Sequence, residues 1–153
     1  MAITVITKMS GFLLTDFNKK AKEIRRKRRA WNLAAVVETE KWIKQNFVAA
    51  GTKHESGSLH WKRLSPATIA MRREGGGSGT PQILRDTGNL MNRWERSATA
   101  SAGVLKSKQN YSATHEFGQG RVPQRKIFPT AKQGREIVKP VYEALLRKTI
   151  NRR

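Results

Sequence analysis

The chain's 153 residues carry 31 Lys and Arg against 11 Asp and Glu, a formal net charge of +20 that points to an anionic partner. It holds no Cys, which excludes disulfide scaffolds, thiolate zinc sites and cysteine nucleophiles. No apolar run approaches the roughly 18 residues of a membrane span, and no secretory signal pattern is visible, so a soluble, intracellularly made protein is expected. Hydrophobic residues make up 37%, with four Trp, two Tyr and five Phe, enough for a modest core in one domain, 1–153, and too much for a disordered basic tail.

In chain order, Ala2–Thr7 reads as a short β-branched strand. The spacing then turns helical: Leu13, Phe17, Ala21, Ile24, Trp31, Ala35 and Trp42 share one side, with Arg28 where an apolar residue is due. This predicts a long helix over 12–50, stopped by Gly51. Uninterrupted, it would span roughly 58 Å, well beyond the roughly 30 Å expected of a compact domain this size. It therefore breaks near its basic run, or projects and packs on another subunit; projection is the preferred reading.

The basic run is dense. Lys19, Lys20, Lys22, Arg25, Arg26, Lys27, Arg28 and Arg29 fall within eleven residues, offset only by Glu23. A solvated helix face accounts for many such runs. Here like charges four apart, Lys22 with Arg26 and Arg25 with Arg29, repel one another, which favours an anionic neighbour across Lys19, Lys22, Arg25, Arg26 and Arg29.

Beyond residue 52 the chain is loop-like until Ser65-Pro66, an N-cap followed by Pro at the first helical position, which opens a short helix over Pro66–Arg73. Gly75 to Gly79 reads as a surface tip, not a phosphate loop, because no Gly-Lys-Ser/Thr follows. Asp86-Thr87 offers a cap for a second short helix ending near Trp94, and Arg96–Tyr111 reads as a two-stranded hairpin. A helical turn over Ser112–Phe117 ends at Gly118, and a Pro-punctuated loop runs from Val122 to Pro129. A C-terminal helix occupies 131–153, regular from about Gln133 to Thr149, with Ile137, Val141, Ala144 and Leu145 on one face. Pro140 should bend it or shift its start, and Asn151–Arg153 should fray.

Catalytic constellations are scarce. His54, His60 and His115 lack metal-ligand spacing, and the acids form no cluster of the kind that holds a catalytic cation. His115-Glu116 could serve acid–base chemistry, yet a histidine that packs in a turn explains it more simply. No cofactor is expected. Trp61 and Trp94, set among Lys and Arg, could stack bases, but no helix-turn-helix or zinc-finger pattern accompanies them, so any DNA contact would be to phosphates.

Three blocks then become familiar. Trp61-Lys62-Arg63-Leu64-Ser65-Pro66-Ala67-Thr68-Ile69, Ile83-Leu84-Arg85-Asp86-Thr87-Gly88-Asn89-Leu90 and Tyr111-Ser112-Ala113-Thr114-His115-Glu116-Phe117-Gly118 occur in order. They resemble segments of the virion morphogenesis proteins of Mu-like phages, related to the tail-completion and neck proteins of other tailed phages. Val122-Pro123-Gln124-Arg125-Lys126-Ile127-Phe128-Pro129 is similar to a closing block of that family, except that Lys126-Ile127 stands in place of a single Pro. The resemblance covers Trp61 to Pro129, within a family-like core over 52–130. It marks Trp61, Leu64, Asp86, Thr87, Gly88, His115, Phe117, Gly118, Pro123 and Arg125 as its structural residues.

The resemblance implies an α+β fold, a small antiparallel sheet flanked by the long N-terminal helix and the C-terminal helix. It implies a homo-oligomeric ring in the virion at the head–tail junction, beside other neck, portal or connector and tail proteins, without enzymatic activity. The basic helix would then face packaged DNA in the channel or an acidic surface on a neighbour. A tail terminator and a free, non-specific nucleic-acid-binding protein are the alternatives, with a hydrolase working through His115 and Glu116 a distant third.

Overall fold

A computed structural model describes residues 11–55, 60–75 and 81–151, with side chains from residue 16 onward. The strand expected at Ala2–Thr7, the Leu13 side chain, Gly76–Gly79 of the expected tip and the fraying expected at Arg152-Arg153 lie outside the described residues. The architecture is α+β, with a long N-terminal helix, a two-stranded antiparallel sheet and a C-terminal helix. No helix among the described residues is long and apolar enough to cross a membrane.

Helix α1 (Gly11–Val48) runs unbroken for 38 residues, about 57 Å. Ala50 and Gly51 end it with φ of 50° and 86°. Gly51 is needed twice, for its positive φ and because a Cβ there would lie 2.5 Å from the Trp61 ring. The basic run does not break α1. Nor does α1 project freely, because α5 (Ala131–Ile150) lies antiparallel along it. Gln133 Nε2 donates to Lys53 O at 2.9 Å, the Tyr142 hydroxyl to Asn32 Oδ1 at 2.6 Å, and Lys20 Nζ to Thr149 O at 3.4 Å. The partner expected from another subunit is, from residue 20 onward, supplied by the chain itself.

That packing corrects the single apolar stripe. Trp31 and Ala35 are buried and Ala21, Ile24 and Trp42 half-buried, but Phe17 is 64% exposed, while Ile43 and Phe47 lie deepest. The N-terminal half of α1 leans on α5, with Ile24 and Arg28 lining a cavity beside the hairpin turn at Ala100 and Ser101. Its C-terminal half is enclosed by α5 and by the rest of the chain, so the buried arc there is wider than one stripe. Ile43 and Phe47 meet Trp61, Ile83, Leu84, Leu90 and Ile127 in the core.

Local signals explain most of the remaining elements. Ser65 Oγ accepts from Thr68 N at 3.1 Å and starts α2 (Pro66–Glu74) with Pro66 in the first turn. Helix α4 (Ser112–Phe117) stops at Gly118, φ 71°. A capping box starts α5 two residues before the expected Gln133: Thr130 Oγ1 accepts from Gln133 N, and Gln133 Oε1 accepts from Thr130 N. With that nucleus in place, Pro140 sits inside the helix on its exposed side and does not set the start. Of Asp86-Thr87, Thr87 Oγ1 accepts from Asn89 N at 3.4 Å, but neither residue holds the N-cap position of α3 (Asn89–Asn92). Gly88, in the left-handed region at φ 73°, takes that position with no side-chain cap bond.

The hairpin is present, but starts two residues early. Trp94 belongs to β1 (Trp94–Ala98), which pairs with β2 (Gly103–Ser107) in the register Trp94↔Ser107 to Ala98↔Gly103. One ion pair anchors it to α1. Arg96 reaches Glu40 with two nitrogens, Nη2 lying 3.0 Å from Oε1, and Lys44 Nζ lies 2.9 Å from the same oxygen. Glu40 is only 3% exposed. The Arg96 hydrogen bonds, helped by Lys44, outweigh burial and hold its carboxyl down at about 2, against an ordinary 4.5.

A depressed carboxyl contributes stability that is complete above its unfolded value and lost as pH falls through the folded one. The Glu40 contribution should therefore vanish between pH 4.5 and about 2. Glu40→Gln should cost about 2 kcal/mol at neutral pH, and less at pH 3, when urea unfolding is followed at both. An equal cost at the two pH values would remove the ion pair from the account.

Candidate functional site

Two groups of candidate residues were marked in the sequence, and the structure treats them differently. On α1, Lys19, Lys22, Arg25, Arg26 and Arg29 are all exposed. At 100° per residue they share an arc of about 120°. Two neighbouring cations of the run are drawn inward: Lys27 pairs with Glu23, and Lys20 bonds the last turn of α5, while Arg28 is exposed outside the arc.

The residues of the familiar blocks converge. Leu64, Asp86, Thr87, His115, Pro123 and Arg125 line one cleft of about 630 Å³, within the usual range of ligand sites. Trp61 lies behind it in the core. Its Nε1 donates to Lys126 O at 2.8 Å, and its ring meets Phe47 edge-on. Gly88 and Gly118 shape turns beside the cleft, and a Cβ on Gly118 would sit 2.9 Å from the Gln124 backbone nitrogen. Phe117 is 64% exposed, with the Lys126 ammonium 5.4 Å above its ring.

Neither tryptophan suspected of stacking bases is available for it. Trp61 is buried, and Trp94 donates its Nε1 to Met91 O and packs edge-on against Phe128.

The cleft is basic. Lys62, Arg63, Arg72 and Arg121 join Arg125 in lining it, with Asp86 as the one acid there. Arg72 donates to Gln82 O at 2.8 Å and lies 3.9 Å from Asp86. These four cations went unmarked in the sequence because Lys62 and Arg63 fill variable positions of the first block and Arg121 precedes the last. Only their convergence on Arg125 reveals them.

Arg125 is 6% exposed. Its Nε and Nη2 both donate to Lys62 O, at 3.4 and 3.3 Å, and no carboxylate among the described residues pairs with it. Burial, followed by repulsion from Arg72, lowers its pKa, though a guanidinium stays charged. Leu84, in the cleft wall, holds a left-handed φ of 57°, a strain of about 1–2 kcal/mol kept in place by its burial in the core.

His115 and Glu116 do not form an acid–base pair. The Glu116 carboxylate faces the other way and accepts from Ile127 N at 2.6 Å and Phe128 N at 3.2 Å, with Lys126 Nζ at 3.4 Å. His115 stays on the cleft side, its ring edge-on to Tyr111, and its buried Nδ1 has no hydrogen-bond partner. Desolvation, then the Arg125 charge, lowers its pKa below the ordinary 6.5. Among the described residues no three His, Asp or Glu side chains gather as a metal site would require. No family model, curated protein or solved structure matches this chain.

Because the folded His115 resists a proton that the unfolded chain accepts, stability should fall as pH drops below 6.5. In His115→Gln that slope should be shallower, as read from thermal midpoints between pH 7.5 and 5. Identical slopes in the two proteins would sink the burial account.

Proposed function

We propose that the chain is a structural phage morphogenesis protein of the neck, which completes the tail and joins it to the DNA-filled head as a subunit of a homo-oligomeric ring. The observation that supports this most is the convergence of the familiar blocks. Leu64, Asp86 and Thr87, His115, and Pro123 with Arg125 come from four separate stretches of chain, yet line one cleft. Segments alike by chance have no physical reason to fold around a common space. Their roles suit a scaffold: caps, turns and core anchors, with Glu116 spent on backbone N–H groups.

In this reading the exposed arc of α1 meets a polyanion, either packaged DNA in the ring channel or an acidic face of a connector protein. Ring closure by heterologous contacts would repeat that arc around the channel. The same five exposed cations favour one competing reading, a free protein that binds nucleic acid through phosphates, whose affinity would fall steeply with salt and which would form no ring.

Arg25→Glu, Arg26→Glu and Arg29→Glu combined should lower head–tail joining by at least about tenfold, equivalent to roughly 1.4 kcal/mol of lost contact. Because all three side chains are exposed, urea unfolding should be unaffected. Imaging of assembled particles should place density for the chain at the neck. Normal yields of joined particles from the triple variant would refute the role of the basic arc, and absence from the neck would refute the reading as a whole.

A further inference from the structure

The cleft contains an unpaired buried charge, which folding does not favour. Taking a guanidinium out of water costs several kcal/mol unless an anion and hydrogen bonds replace the water. Arg125 has one such partner, the Lys62 carbonyl, held at the Nε–Nη2 edge. Nη1 has no partner among the described residues, so the outer Nη1–Nη2 edge can still take a carboxylate, as the Nε–Nη2 edge of Arg96 takes Glu40. Lys62, Arg63 and Arg121 stand around the same space, all exposed and without ion-pair partners among the described residues. His115 adds a second, independent sign: its buried Nδ1 is unsatisfied, and in the Nδ1–H tautomer it is one more donor. Buried groups left without partners in a folded protein call for a missing one.

The rest of the lining says what kind of anion fits. Leu64, Leu84, Leu90, Val122 and Pro123 give the cleft an apolar side, and Asp86 sits within it. A sugar–phosphate backbone would gain nothing from the leucines. A peptide that alternates acidic and apolar side chains would satisfy both the cations and the apolar wall. We infer that the cleft is a docking site for an acidic, apolar-flanked peptide segment of a partner protein, one of whose carboxylates pairs with Arg125. This site is distinct from the exposed arc of α1, and the inference holds independently of the neck assignment.

The probe is a short peptide of alternating leucine and aspartate, titrated by calorimetry into the full chain, beside a counterpart carrying asparagine for aspartate. The aspartate peptide should bind and the asparagine peptide should not. Arg63→Ser with Arg121→Ser, both at exposed positions, should weaken binding by about tenfold or more. Arg125→Lys, which keeps the charge but loses the fork, should do the same. Arg25→Glu, Arg26→Glu and Arg29→Glu on α1 should leave binding unchanged.

Should Arg125→Lys fail to fold, the Arg63/Arg121 pair still decides the matter. Equal binding of the two peptides overturns the proposal, as does a loss on the α1 variant as large as that on the cleft variant. Competition by inorganic phosphate at lower concentration than by acetate overturns it in favour of a phosphate site.

Discussion

A single backbone carbonyl organises this fold. Lys126 O accepts from Trp61 Nε1 at 2.8 Å and Asn46 Nδ2 at 3.2 Å, and faces His54 Nε2 at 3.0 Å. Those three side chains come from the end of α1, the turn after it and the first familiar block. His54 Nδ1 in turn lies 3.2 Å from Gln133 Oε1, in the first turn of α5. Each such bond contributes about 1 kcal/mol net, but a buried donor left unmade would cost more, so the four segments must arrive together. On the other side Glu116 takes the N–H groups of Ile127 and Phe128. The stretch 125–128 is thereby held from both flanks, with Arg125 lining the cleft and Ile127 buried in the core.

The same constraint explains how so much positive charge is left facing outward. Of the eleven acids, Glu23, Glu38, Glu40, Glu55, Asp86, Glu116, Glu136 and Glu143 lie in ion pairs within the chain. Glu40 and Glu116, the two buried ones, are committed to fixing the hairpin and the 125–128 stretch. Little acid remains to neutralise the arc on α1 or the cations of the cleft. Two surfaces of different character carry part of this charge. One is a convex helical arc of flexible cations; the other is a concave, half-apolar cleft with a rigidly held guanidinium.

Local chemistry was legible wherever one or two adjacent residues decide the backbone. Ser65-Pro66 starts a helix, Gly118 stops one, and Gly51 ends α1. The misreadings arose where two local options competed. Asp86-Thr87 looked like a cap, but Gly88 alone could take the left-handed φ that the chain needed there. Gln133 looked like the start of α5, yet its side chain serves as the return half of the Thr130 capping box. The α1 stripe has the right period, and of its described members only Phe17 is exposed; how wide an arc is buried depends on what packs against the helix, and α5 is more than 80 residues away in sequence.

From composition, spacing and the familiar blocks one could read a basic α+β chain with a long cationic helix, because charge, periodicity and caps are properties of neighbouring residues. Whether that helix would project was a tertiary matter, decided by α5 lying along it. The cleft was a tertiary matter too. Lys62, Arg63, Arg72, Arg121 and Arg125 are scattered over some sixty residues, and nothing local marks them as a set. They become a site only because Lys126 O and Glu116 draw the 125–128 stretch against the first block, leaving a buried positive charge with no counter-ion among the described residues.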